Sequence, residues 1–163
     1  MTIETLDDLF LHTLKDVLYA ERKIIKSLPK MERKATDPKL KAAISAHRDA
    51  TEDHVVRLEE VFEGIDKPAR GAKCDAMVGL IEEAEGLMAD IDDDATMDAA
   101  LVSLAQAIEH YEIARYGSLV AWAKQLGHPE AAALLKKTLE EEHAAASALS
   151  QMAETRLTAA PAA

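Results

Sequence analysis

The stretch Ala105–Leu119, AQAIEHYEIARYGSL, constrains this chain more than any other. Apolar residues recur in and before it at helical period: Leu101, Leu104, Ile108, Tyr111 and Leu119, with Arg115 on the same stripe. Carboxylates interrupt that stripe. Glu109 and Glu112 are three residues apart and lie near one face of the helix. Glu112 follows Ile108 by one turn, on the side that should meet a core. A buried carboxylate without a partner costs several kcal/mol, a large part of a domain stability of about 5–15 kcal/mol. A hydrogen-bonded partner, a proton or a metal ion has to compensate it.

The rest of the chain offers three further long helical patterns. The first runs from Thr5 to Lys34, opened by Thr5-Leu6-Asp7-Asp8, which resembles a capping box. Its stripe is Leu6, Phe10, Thr13, Val17, Ala20, Ile24 and Leu28, with Glu21 on or beside it. Pro29 falls inside the pattern, so the helix either kinks there or ends and restarts. Asp37-Pro38 is a strong start signal for a second helix reaching about Glu63. Its stripe is Leu40, Ile44, His47, Thr51, His54, Leu58 and Val61, so two histidines take apolar-face positions.

Residues 64–96 read as a long crossover. GIDKPARGAK is a linker, Cys74–Asp90 a shorter amphipathic helix, and Ile91-Asp92-Asp93-Asp94 its end. Such a crossover lets the second long helix and the central one, Met97–Leu126, run parallel. Gly127-His128-Pro129 stops one helix and starts the next. The last, Pro129–Leu157, has the stripe Leu135, Leu139, Glu142, Ala146, Leu149 and Ala153, and Glu142 occupies a core slot. Residues 1–157 are thus expected to form one helical domain, and 158–163 a flexible tail.

Each polar position has an ordinary explanation when taken alone. Glu21 suits a flank, His47 and His54 suit hydrogen-bonded core or rim positions, and Glu109 could pair with Arg115 or Lys124. Glu140, Glu141 and Glu142 form a run of the kind that usually faces solvent, and His143 points to the flank of the stripe. Their joint occurrence is harder to dismiss: inward Glu or His falls on all four long helices at comparable depth. Four-helix bundles of the dinuclear carboxylate type place ligands this way, with a Glu from each of two helices and a Glu/His pair from the others. The candidate metal ligands are therefore Glu21, His47, His54, Glu109, Glu112 and Glu142. Carboxylates with imidazole suit Fe or Mn, whereas carboxylates alone would suit Mn, Mg or Ca.

Composition narrows the partners. The formal net charge of −11 opposes nucleic acid and anionic membrane surfaces. No run approaches the roughly 18 apolar residues of a membrane span, and MTIETLDDLF has no secretory pattern. One cysteine, Cys74, leaves no internal disulfide.

The segments TLDDLFLHTLKDVLYAERKIIKSLPKM, HVVRLEEVFE, AIEHYEIARYGSL and LLKKTLEEE resemble the stress-associated bacterial YciE/YciF group of ferritin-like proteins. The resemblance covers nearly the whole chain, and LYAE and EHYEIARYGSL are its most specific parts. It implies an all-α, ferritin-like four-helix bundle whose crossover carries an extra helix, a cytoplasmic homodimer and a dinuclear Fe or Mn centre. Glu21, Glu109, Glu112 and Glu142 match acidic positions of that pattern, and His47 matches its second-helix histidine. The chain departs from it at Asp49-Ala50, where relatives commonly carry paired Glu, and at Thr13, where Glu is usual. His54 is then a replacement ligand, and two ions, one or none remain open.

Two functional expectations follow. One is a metal-binding protein in stress or oxidant handling, with oxidase- or peroxidase-like turnover and with Tyr19 or Tyr111 tuning the site. The alternative is a non-enzymatic interaction protein that keeps the bundle without a working centre. A storage cage is less favoured, since no separate cage-forming element is evident.

Overall fold

The computed structural model describes residues 2–158, all of whose regular structure is helical. Five helices follow in order: α1 Leu6–Lys34, α2 Pro38–Gly64, α3 Asp75–Asp90, α4 Asp94–Gln125 and α5 Pro129–Thr158. The expected tail at 158–163 lies outside the described residues, apart from Thr158 as the last helical position.

Local chemistry sets the boundaries. Thr5 and Asp8 close a reciprocal capping box at the start of α1. Asp37 caps α2, accepting from Lys39 N at 2.7 Å and Leu40 N at 3.0 Å. The helix continues through Pro29, so the restart reading does not hold. Pro29 forfeits one backbone bond, while Leu28 and Met31 on either side are buried and hold both flanks in the core. α3 ends at Asp90 as expected, but α4 opens at Asp94 rather than Met97, because the Asp93 carboxylate accepts from Thr96 N at 2.8 Å and Thr96 Oγ1 at 2.7 Å. Gly127, at φ 77°, ends the α4 signal as a left-handed residue, and His128 N returns to Ala123 O at 2.8 Å.

Short connections pair α1 with α2 and α4 with α5. The main remaining contacts run between α1 and α4 and between α2 and α5. The crossover lies on α1, where Ala72 N donates to Lys15 O at 3.0 Å. A Cβ on Gly71 would come within 3.2 Å of the Tyr19 backbone, so a larger residue there would have to push the two segments a few tenths of an ångström apart. α3 then packs on α4 and α1.

The buried apolar residues form two clusters. One holds Ala20 to Met31 of α1, Leu40 and Ile44 of α2, the inner face of α3, the first half of α4, and Leu149. The other holds Phe10 to Leu18, Leu58 to Phe62, Tyr116 to Ala123 and Ala131 to Leu135. α2 and α4 both run from the first cluster to the second, and α1 and α5 run the opposite way. The parallel arrangement expected of the crossover is therefore present. On α2, α4 and α5 the candidate ligands fall between the helix's segments of the two clusters, and on α1 Glu21 falls beside their junction, next to Ala20.

One buried acid fastens the α1–α2 corner. Asp98 of α4 is 3% exposed and accepts from Thr36 N at 2.7 Å, Thr36 Oγ1 at 2.6 Å and Asp37 N at 3.0 Å. Replacing it leaves those donors without their carboxylate. Asp98→Ala should cost about 2–3 kcal/mol, lowering Tm by about 4–10 °C. Loss of the surface cap in Asp93→Ala should cost only about 1 kcal/mol. Thermal unfolding followed by circular dichroism checks both, and equal effects would contradict the assignment of Asp98 as the fastener.

Candidate metal centre

All six candidate ligands point inward and meet in one layer. Glu21, His54, Glu109, Glu112 and Glu142 are at most 2% exposed, and the His47 side chain is 10% exposed. Helical period explains this within each chain segment: Glu21 lies one turn from Val17, and Glu112 one turn from Ile108. Bundle register brings the helices' contributions to a common depth.

The geometry falls into two overlapping sets. His47 Nδ1 lies 3.3 Å from Glu109 Oε1, and its Nε2 lies 3.9 Å from Glu112 Oε2. His54 Nδ1 lies 3.0 Å from Glu142 Oε1 and 3.6 Å from Glu21 Oε1. Ligand-capable atoms of His47, Glu109, Glu112 and Glu142 lie within 4.8 Å of one another, as do those of Glu21, His54 and Glu142. Glu142 belongs to both sets.

Hydrogen bonding leaves most of this layer unsatisfied. The Tyr116 hydroxyl donates a short bond to Glu21 Oε1. His54 Nδ1 is near two carboxylates but misaligned for a hydrogen bond to either. Among the described residues, eight buried side-chain N and O atoms lack a hydrogen-bond partner, and all eight belong to the six candidate ligands. Each such atom costs about 1–3 kcal/mol if nothing else engages it.

Protonation without a metal follows from burial and proximity. Burial, reinforced by Glu142 and Glu21, pushes the Glu109 carboxyl up to about 10. Burial and the neighbouring Glu21, Glu142 and Glu109 raise Glu112 well above the carboxylate range. Burial would lower His54, but its contacts with Glu142 and Glu21 outweigh that and carry it up to about 10. Burial would raise Glu142, yet contact with His54 and Glu109 holds it below its ordinary value. Burial depresses His47. Unaided, the layer therefore cannot hold four ionised carboxylates.

A support behind the layer has the form of a ligand-orienting network. Arg57 grips Glu141 with Nη1 to Oε2 at 2.6 Å and Nη2 to Oε1 at 3.0 Å, and also reaches Thr138 Oγ1 at 3.1 Å. Burial would raise Glu141, but Arg57 and His54 hold it low and ionised. It can then accept from His54 Nε2–H at 3.1 Å. That fixes the imidazole so that Nδ1 faces Glu21 and Glu142. Metal-binding histidines are characteristically held by a carboxylate on the other ring nitrogen.

Sequence reasoning missed Arg57, Thr138, Glu141 and Tyr116. Signals existed for two of them: Arg57 follows His54 by three residues, and Tyr116 follows Glu112 by four, each on a shared face. Glu141 was hidden within an acidic run whose first member, Glu140, is indeed exposed and pairs with Lys136 at 3.1 Å. His143 is exposed. Of the tyrosines expected to tune the site, Tyr111 instead meets Cys74 Sγ at 3.0 Å, and Tyr19 packs beneath Gly71. Glu109 is buried against His47 rather than paired with Arg115, which stacks on the Tyr111 ring at 5.2 Å. Ala50 lines the cavity beside the layer and supplies no ligand.

Two overlapping groups of these side chains have the donor types to hold a metal ion. Glu142 is common to both groups, and the eight orphaned atoms are carboxylate oxygens and imidazole nitrogens, donor types suited to hard or borderline divalent cations. The metal-free state has a distinct pH signature. Glu109, Glu112 and His54 all have native values above their unfolded ones, so each stabilises most at low pH and loses that contribution as pH rises. Between pH 7 and 9 the three act in one direction, by up to about 1.4 kcal/mol per pH unit for each. Chelated protein should therefore melt at a lower temperature at pH 9 than at pH 7, and Glu112→Gln should reduce the difference. Calorimetry checks this; a flat or rising Tm would contradict the described protonation.

Comparison with known proteins agrees with this architecture. YciF of Escherichia coli K12 is 42% identical over 145 residues, spanning 88% of this chain and 87% of YciF. The crystal structure of that E. coli stress protein superposes with a TM-score of 0.92, covering 96% of this chain and 99% of the other. YcfI of Rhodopseudomonas palustris, for which a structural role has been suggested, is 44% identical with a TM-score of 0.89, over 91% and 94% of the two chains. A Xanthomonas campestris protein, 23% identical over 95% of each chain with a TM-score of 0.77, shares the fold. The fold is thus the ferritin-like bundle expected from the sequence. Residues 5–162 match the family model described as a domain of unknown function, DUF892, and the chain belongs to that family.

Proposed function

We propose that this protein binds two divalent cations, iron or manganese, in the middle of its bundle and works in stress or oxidant handling. The observation that carries this reading is the confinement of all eight orphaned buried atoms to six residues from four helices. A hydrophobic core would not retain four carboxylates and two imidazoles without a ligand to engage them. Glu142 is the bridging candidate, with Glu21 and His54 on one side and His47, Glu109 and Glu112 on the other. Arg57 and Glu141 orient His54, and Tyr116 holds Glu21.

Bound iron or manganese would supply one-electron chemistry towards dioxygen or peroxide, the basis for proposing oxidase- or peroxidase-like turnover. The chain's own contribution is to fix the ligands, restrict water between two apolar clusters, and place the Tyr116 proton at Glu21. The stress setting rests on the description of the E. coli relative as a stress protein. Homodimeric assembly and cytoplasmic residence belong to the same reading through the family resemblance; the single buried free cysteine suits a reducing compartment.

A second reading follows from the role suggested for the R. palustris relative: a structural protein without a working centre. Metal content separates the two. Protein purified without chelator and reconstituted with Fe(II) or Mn(II) should approach two cations per chain, and Glu142→Ala should lose most of both. At 100-fold over its dissociation constant, a bound cation should add about 2.7 kcal/mol of stability. Less than about one-tenth of a cation per chain after reconstitution, with no change in Tm, would favour the structural reading.

A further inference from the structure

Five of the six candidate ligands are nearly sealed from solvent, and His47, with its side chain 10% exposed, is the one that solvent reaches. It does so through a half-open cavity of about 270 Å³ between α2 and α5. Ala46 and Ala148 mark the exposed rim of that groove, Ala50 and Ala145 its half-buried sides, and the ligand layer its inner end. Along the bundle axis the two apolar clusters close the layer in both directions.

The two imidazoles are supported differently. His54 is braced from behind, since Glu141 accepts from its Nε2–H at 3.1 Å and Arg57 grips Glu141. His47 has no such brace among the described residues. Its Nδ1 faces Glu109 at 3.3 Å, while its Nε2, 3.9 Å from Glu112, has no hydrogen-bond partner. Its neighbours one turn away on the same face are Ala43 and Ala50, whose methyl groups leave the ring room to move.

We infer that divalent cations enter and leave the layer through this groove, and that His47 is the ligand that swings aside to pass them. The inference rests on the metal reading and adds to it the route and the moving part. Size agrees with it. A cation carrying six waters occupies about 180 Å³, at ~30 Å³ per water. It therefore reaches the inner end hydrated and exchanges its waters for ligand atoms there, not against the alanine methyls. No Lys or Arg lines the groove. The cationic His54 does, and its charge is offset where it stands by Glu141 at 3.1 Å and Glu142 at 3.0 Å.

The test uses Co(II), whose coloured complexes report binding and which suits the same oxygen and nitrogen donors. The chelator-treated full chain is mixed with Co(II) in stopped flow, release is started with saturating EDTA, and equilibrium dialysis gives affinity and stoichiometry. A barrier on the route slows entry and exit alike and leaves the equilibrium alone. Ala50→Leu and Ala145→Leu, which narrow the sides, should each slow uptake and release by about tenfold, with affinity and stoichiometry within about twofold of the parent. Ala144→Leu, exposed on α5 and off the groove, should change neither rate. Should a side variant fail to fold by circular dichroism, Ala46→Leu and Ala148→Leu at the rim repeat the measurement with the same expected outcome. In the metal-free parent, NMR relaxation dispersion on the imidazole carbons should show microsecond-to-millisecond exchange for His47 and none for His54. Cobalt bound with rates unchanged in the narrowed variants, affinity lost in step with uptake while release stays constant, or a His47 ring as still as that of His54 would each overturn the inference and leave the metal reading standing. No cobalt bound at all would sink the metal reading and this inference together.

Discussion

The structure depends on the compensation of buried negative charge. Four glutamates and two histidines occupy the middle of a helical bundle, where each would otherwise be among the costliest residues to bury. Without a ligand the cost is reduced by keeping protons. Glu109 and Glu112 stay neutral far above the usual carboxylate range, and His54 keeps its charge because Glu142 and Glu21 stand beside it. That arrangement relieves charge and leaves hydrogen bonding unfinished. The eight unsatisfied atoms of the described residues sit in one layer, on side chains that could hold a metal ion.

The remainder of the fold holds that layer at a fixed depth. Two apolar clusters bracket it and resist sliding of any helix along the bundle. The crossover is pinned on α1 by the close approach at Gly71, and Asp98 ties the α1–α2 corner to the start of α4. Directional control comes from behind. Arg57 holds Glu141 through two hydrogen bonds, and Glu141 holds one nitrogen of His54, so the other nitrogen has a single orientation available. The contrast with the cavity wall is informative. Alanines of α2, α4 and α5 line that cavity together with Leu28, Ile44 and Leu149, and they leave room beside the layer that opens to the surface.

Much of this was legible in the linear sequence because helical geometry is local. Period 3.6 assigns Glu21, His47, His54, Glu112 and Glu142 to apolar faces whatever packs against them, and Asp37-Pro38 and Gly127-Pro129 mark ends through backbone chemistry. The errors also have local causes. The aspartates at 92–94 read only as the end of α3, which they follow, and Thr96 makes Asp93 the cap of α4 as well. Pro29 looks like a break because the packing that carries α1 through it lies on other helices. Tyr111 and Tyr116 both flank Glu112, and one-dimensional spacing gave no means of choosing between them.

By itself the sequence determined the fold class, the long helices and the presence of polar side chains on faces that must be buried, since these follow from periodicity and capping within a few residues. Only the tertiary structure decided which groups meet. Tyr116 reaches Glu21 across 95 residues and Arg57 reaches Glu141 across 84. Such pairings depend on the relative depth of separate helices, to within a fraction of a turn. Packing fixes that depth, and a single helix carries no record of it.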